Sequence, residues 1–234
     1  MSGHSKWATI KHQKGAADQK RGKVFTKIGR MISLASREGG SDPAMNFKLR
    51  LALEKAREVN MPQATMEKAA KRGAGEGEGG QIEEVIYEAA GNEGLAIIIK
   101  AATDNKNRTL SEIKNILAKN GAKLAEPGSL AWQFLSCGII TLGQANLSEA
   151  QELEIIEAGA EDIKKINNTT YLYTQIQDLQ KIQEQAEQLN LRVESAEIGF
   201  IPKNTISLDL SKVKKLLEAL ESQEDVQEIY TNFK

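Results

Sequence analysis

Residues 73–80 read Gly73-Ala74-Gly75-Glu76-Gly77-Glu78-Gly79-Gly80, and the chain changes character across them. Five glycines and two glutamates in eight positions bury nothing and cost much entropy to order, so the stretch reads as a linker. A phosphate-cradling loop is the competing reading. It fails because no Gly-Lys-Ser/Thr follows and because Glu76 and Glu78 repel phosphate. Before the linker the apolar residues recur at helical spacing; after it they run or alternate as in strands. Charge changes too. Residues 1–72 hold 16 Lys/Arg against 6 Asp/Glu, and residues 73–234 hold 15 against 26, so a formal net charge of −1 conceals halves of +10 and −11.

Upstream, Val24, Ile28, Met31, Ile32 and Ala35 form one stripe on a helix expected from about Ala17 to Glu38 and ended by Gly39-Gly40. Asp42-Pro43 supplies a cap and a first-turn proline for a second helix, with Met45, Leu49, Ala52, Leu53, Ala56 and Val59 facing inward. A third helix starts near Pro62, carries Met66, Ala69 and Ala70, and stops at Gly73. These make a small basic helical domain over residues 1–72.

Downstream, Ile82–Ala89 and Leu95–Ala102 read as strands, the second apolar enough to be central. The loop Asp104–Arg108 leads to a helix from about Leu110 to Asn120, for which Thr109 and Glu112 have capping-box spacing. Leu130–Leu135 reads as another strand. Residues 137–203 then give strand Gly138–Leu142, helix Ser148–Ala158 capped by Ser148 and Gln151, and strands near Glu161–Ile166 and Thr170–Thr174. Helix Ile176–Asn190 and strand Arg192–Ile198 complete a β-α-β-β-α-β order, that of a ferredoxin-like split βαβ unit. Strand Thr205–Leu210, helix Ser211–Leu220 and strand Val226–Tyr230 cannot fold alone and are expected to return to the sheet begun at Ile82. The fold class is therefore α+β and multidomain. It comprises an N-terminal helical domain (1–72), a discontinuous α/β middle domain (81–136 and 204–234), and an inserted ferredoxin-like domain (137–203).

Composition narrows the function. The 234 residues are 40% hydrophobic and 27% charged, with mean hydropathy −0.42. No apolar run approaches the ~20 residues that span a bilayer, and no apolar stretch follows the basic first residues as in a secretory signal. A single cysteine, Cys137, allows no internal disulfide or cysteine-rich zinc site and reads as a small buried hydrophobe. The expectation is a cytoplasmic protein. The two histidines, His4 and His12, have no cysteine or carboxylate cluster beside them. Nucleophile elbow, Walker loop and dinucleotide fingerprint are all lacking. Neither catalysis nor a metal or cofactor is expected.

Two constellations carry the positive charge. Lys6, Trp7, Lys11, His12 and Lys14 lie in a segment too polar to be core; there the cations would neutralise phosphates and the indole would stack on a base. The competing role for Trp7 is an apolar plug that docks the arm. On the first helix, Lys20, Lys23, Lys27, Arg30 and Arg37 are separated by 3, 4, 3 and 7 residues. At ~100° per residue they share one stripe, away from the apolar one. An ordinary solvated face would mix signs, so this stripe suits a long polyanion. On the second helix Lys48, Arg50, Lys55 and Arg57 flank the apolar stripe, diluted by Glu54 and Glu58; Lys68, Lys71 and Arg72 close the third helix.

The segment GHSKWATIKHQKGAADQKRGKVFTKIGRMI resembles the N-terminal signature of the YebC/PmpR family, which includes the mitochondrial translational activator of cytochrome oxidase. The resemblance continues through DPAMNFKLRLALEKAREVNMP, IYEAAGNEGLAIIIKAATDNKNRT and AEPGSLAWQF to the terminal EIYTNF. It implies three domains, as read above, and nucleic-acid contact through Lys6, Trp7, Lys11, His12, Lys14 and the basic helix. Members are described as probable transcriptional regulators that bind DNA; others act in translation, contacting ribosomal RNA and helping the ribosome through proline runs. The loops Thr103–Thr109 and Glu126–Ser129 match family motifs without an assigned role. Two departures stand out: Gln13 replaces the family's usual basic residue, and Gly29 sits inside the first helix at a cost of about 1 kcal/mol relative to Ala.

Nothing in the basic half specifies base-edge readout. The turn Gly39–Pro43 is followed by a helix with only Asn46 near its start, and no Arg/Asn/Gln cluster. The expectation is a non-enzymatic factor that binds structured RNA on the ribosome and eases elongation. The alternatives are a DNA-binding transcriptional regulator and a protein-interaction module whose basic domain binds an acidic partner. The acidic remainder suits a protein contact, and no membrane partner is expected.

Overall fold

The computed structural model describes residues 21–76, 80–144, 146–166 and 168–233. They form a mixed α/β structure with two four-stranded antiparallel sheets, divided between two compact units. The first unit runs to Gln133 and resumes at Pro202; the second is Phe134–Ile201. By contacts the N-terminal helices group with the first sheet, while keeping an apolar core of their own.

The first unit opens with α1 (Arg21–Gly39), α2 (Phe47–Glu58) and α3 (Gln63–Gly73). Ile28, Ile32, Ala35, Leu49, Ala52, Ala56, Met61 and Met66 form their core; all but Met61, which lies between the second and third helices, belong to the periodic stripes read from the sequence. Gly73 lets α3 pack closely on α1, since a Cβ there would lie 2.1 Å from the Ser33 carbonyl oxygen. Ser33 and Ser36 hydroxyls donate to the carbonyls of Ala69 and Ala70 across the same contact.

The start of α2 differs from expectation. Asp42-Pro43 begins a turn and not the helix, and Met45 is 84% exposed instead of facing inward. Asn46 is the cap: its side chain accepts from the Leu49 N–H at 3.1 Å and donates to the carbonyls of Ala35 and Gly40.

The first sheet runs β3 (Lys123–Leu124), β1 (Glu83–Ala90), β2 (Ala96–Thr103), β8 (Val226–Thr231). Tyr87, Ala89, Ile97, Ile99 and Ala101 point to one face and pack with α4 (Lys106–Lys119) and α7 (Leu210–Glu221). Every residue of β2 is buried, so both faces are covered, which accounts for its unbroken apolar run. The return of β8 beside β2 is as expected. Residues 205–210 form no strand; a single bridge, Ile206 to Phe233, stands in its place. Helix α4 begins four residues earlier than expected because Asn105 caps it, accepting from the Arg108 N–H; Thr109 is a buried helical residue and not a cap.

The chain leaves the first unit at Gln133, whose carbonyl accepts the Lys203 N–H at 2.8 Å, so exit and return are pinned together. Leu130–Leu135 is not a strand of the first unit. A short 3-10 turn, Ala131–Gln133, leads into the nine-residue β4 (Phe134–Leu142) of the second. There α5 (Glu149–Ala158), β5 (Asp162–Ile166), β6 (Thr169–Thr174), α6 (Leu179–Gln188) and β7 (Val193–Pro202) follow, with strand order β5-β6-β4-β7. The expected capping box on α5 is present: Ser148 and Gln151 satisfy each other's backbone N–H.

Candidate nucleic-acid interface

Helix α1 does gather Lys23, Lys27, Arg30 and Arg37 on one stripe, and the stripe meets protein. Lys23 donates to the Ser222 carbonyl at 3.3 Å and Lys27 to that of Glu221 at 2.5 Å. Arg30 donates to the Glu224 carbonyl at 2.8 Å and pairs with Asp225 at 2.5 Å, with side-chain exposures of 12% and 2%. Arg37 donates to the carbonyl of Ile82 at 2.7 Å. Glu221 and Ser222 end helix α7, where unsatisfied carbonyls concentrate negative potential. That helix has no basic residue in its own last turn, so α1 supplies the cations.

The turn after α7 is built to receive them. Asp225 accepts from the Thr109 hydroxyl at 2.6 Å, from Gln223 Nε2 at 3.1 Å and from Arg108 at 3.3 Å. Gln223 in turn accepts from the N–H groups of Asp225 and Val226. Arg108 also pairs with Asp104 at 2.9 Å, and Asp104 with Arg72 at 2.9 Å, while Arg72 reaches the Gly80 carbonyl. Burial raises the Asp104 pKa, but hydrogen bonds from Arg72 and Arg108 and their charges outweigh it, leaving the carboxyl below its usual value. The Thr103–Thr109 loop thus joins the helices to the sheet. Sequence reasoning missed this network; the i,i+4 spacing of Asp104 and Arg108 was its only local signal.

The second unassigned loop has a structural role as well. Glu88 is 7% exposed, and its carboxylate accepts the N–H groups of Gly128, Leu130 and Ala131 at 2.5, 2.7 and 2.9 Å. Trp132 follows, 65% exposed, with its indole N–H held by the Ser129 carbonyl.

The remaining basic positions divide. Lys48 pairs with Glu38 at 2.7 Å, and the Arg50 guanidinium lies 4.8 Å over the Phe47 ring. Arg57, Lys68 and Lys71 are exposed and Lys55 half-buried, and these four make no side-chain hydrogen bond or ion pair among the described residues. They are spread over α2 and α3, the helices of the bundle that do not carry the docked stripe. Lys6, Trp7, Lys11, His12, Lys14 and Lys20 lie outside the described residues.

An open depression of about 370 Å³ between α1 and β1 is lined by Leu34, Arg37, Glu38, Glu83 and Glu84, too acidic for a phosphate. No cluster of metal-ligating side chains occurs among the described residues, and none of their helices is long and apolar enough to cross a membrane. Cys137 is buried, and desolvation pushes its thiol up to about 11.

Residues 5–76 match the model of the TACO1/YebC protein N-terminal domain, and residues 82–233 that of the TACO1/YebC second and third domain. A probable transcriptional regulatory protein of Halothermothrix orenii is 45% identical over 100% of this chain and 95% of its own length. One from Fervidobacterium nodosum is 48% identical over 100% of this chain and 94% of its length. The crystal structure of conserved hypothetical protein Aq1575 from Aquifex aeolicus superposes with a TM-score of 0.86 at 41% identity, covering 98% of this chain and 97% of that one.

Proposed function

The chain belongs to the TACO1/YebC family, and from that premise we propose a non-enzymatic regulator of gene expression that grips a folded RNA on the ribosome and eases elongation. A regulatory role agrees with the names its relatives carry. The observation that carries nucleic-acid binding is the charge polarisation of the chain. The basic first 72 residues (net +10) include Lys55, Arg57, Lys68 and Lys71, which lack side-chain partners among the described residues. Unpaired cations on adjacent helices neutralise phosphates without reading sequence.

RNA is preferred over DNA on the geometry of α2. Asn46 is 5% exposed and consumed by the cap, Lys48 is paired with Glu38, and Arg50 lies over the Phe47 ring, so the first turns offer no uncommitted base-reading side chain among these three. A groove-reading helix needs free side chains in its first turns; shape and phosphates remain as the means of recognition. The DNA-binding reading is favoured by the word transcriptional in the relatives' names. A non-catalytic role fits a cysteine that is buried and carries a raised pKa, a poor nucleophile. We read the second unit as a ferredoxin-like insertion on its β-α-β-β-α-β order and its β5-β6-β4-β7 sheet.

Crosslinking in cells, followed by sequencing of the attached nucleic acid, tests the assignment. Mostly ribosomal RNA is expected; promoter DNA would move the function to transcription, and no enrichment of either would remove nucleic acid from it.

A further inference from the structure

We infer that the docked helical bundle is a masked state: the cations of α1 are held by the end of α7, and a nucleic acid competes for them by undocking the bundle. The inference rests on the nucleic-acid reading above. Three observations point to it. The groups that dock are those a phosphate would take, two lysine ammoniums and a guanidinium, and their present acceptors are the carbonyls of Glu221, Ser222 and Glu224 and the carboxylate of Asp225. These acceptors imitate a polyanion, a row of oxygens at the negative end of a helix. Second, the bundle has its own apolar core, distinct from the one between the sheet and helices α4 and α7. The hydrogen bonds and the ion pair that hold α1 on the end of α7 are polar and belong to neither core, while α1 also lies against β2 and β8. Third, docking is imperfect. The Arg30 Nε–H is buried with no acceptor among the described residues, a charged donor left unsatisfied in the docked geometry.

Competition has a definite consequence. A protein whose binding-competent state is a fraction of the whole shows an affinity reduced by that fraction. Weakening the internal acceptor raises apparent affinity; weakening the cations lowers it.

The test uses the full chain carrying Met45→Cys on the bundle and Asn115→Cys on α4, both exposed, labelled with a donor and acceptor dye pair. Cys137 is buried and labels slowly. Structured RNA and a DNA duplex are each titrated in. Energy transfer is expected to fall as binding saturates. Binding with unchanged transfer would overturn the masked state and leave the nucleic-acid reading standing; failure of both nucleic acids to bind would end both. In parallel, Asp225→Asn, which weakens the Arg30 and Arg108 pairs, is expected to bind about three- to tenfold tighter. Equal or weaker binding by a variant with native circular dichroism would also overturn it. Should that variant not fold, the dye-pair measurement decides alone.

Discussion

At the residue scale, single buried carboxylates organise the loops that the sequence left without a role. Glu88 sits in the strand β1, where alternation alone assigns it to a face, but its carboxylate satisfies three backbone N–H groups of the 128–131 turn. In Glu88→Gln an amide NH2 replaces one acceptor oxygen and meets donors. The expected loss is about 1.5–3 kcal/mol, the worth of a charge-assisted hydrogen bond, read as a lower urea midpoint for the first unit. An unchanged midpoint would mean the loop holds its shape by other means. Asp104 makes a prediction in pH. Its folded pKa lies below the ordinary carboxylate value because Arg72 and Arg108 overcome the effect of burial. A depressed carboxyl stabilises above its unfolded pKa and ceases to do so as pH falls through the folded one. The stability difference between wild type and Asp104→Asn should therefore be constant above about pH 5 and shrink below about pH 4. A difference independent of pH would show that the charge contributes nothing.

At the element scale, periodicity identified every major helix and the two central strands, because an apolar stripe must be buried whatever its partner. Element ends were less legible, and for identifiable reasons. Asp42-Pro43 and Asn46 are both valid helix starts in sequence; Asn46 prevails because its amide also closes onto Ala35 and Gly40, contacts that exist only after α1 and α2 pair. Thr109 has capping-box spacing with Glu112, yet its hydroxyl is committed to Thr103 and Asp225, the latter 116 residues away. The approach of α3 to α1 rests on one glycine. In Gly73→Ala the new Cβ would fall 2.1 Å from the Ser33 carbonyl oxygen and 2.8 Å from Ser36 Cβ, and backbone cannot yield as a side chain can. The helices must separate, disturbing the Ser33 and Ser36 hydrogen bonds. A loss of about 1–3 kcal/mol is expected, lowering the melting transition by about 2–4 °C per kcal/mol. Melting equal to wild type would show that the helix end relaxes freely.

At the scale of the whole molecule, charge polarisation was legible but its geometry was not. A helical wheel groups Lys23, Lys27, Arg30 and Arg37 correctly; it says nothing about what they face. Three of them reach backbone carbonyls 194–199 residues downstream, acceptors that every residue possesses and no sequence marks. Lys55, Arg57, Lys68 and Lys71 have no side-chain partner among the described residues; in the sequence Glu54 and Glu58 dilute the first two, and the other two equally suit the end of a helix. Salt dependence separates the two sets. Neutralising these four to Gln leaves the docking contacts intact, so the fold should hold. Log affinity against log salt should flatten by up to about 0.9 for each duplex phosphate no longer neutralised, or about 0.7 on single strands. Neutralising Lys23, Lys27 and Arg30 instead removes the ligands of the α7 end, and loss of thermal stability is expected together with any change in slope. If the four-residue variant keeps the wild-type slope while the three-residue variant loses slope without losing stability, the docked stripe is the phosphate-binding surface and the open face of α2 and α3 is only solvated.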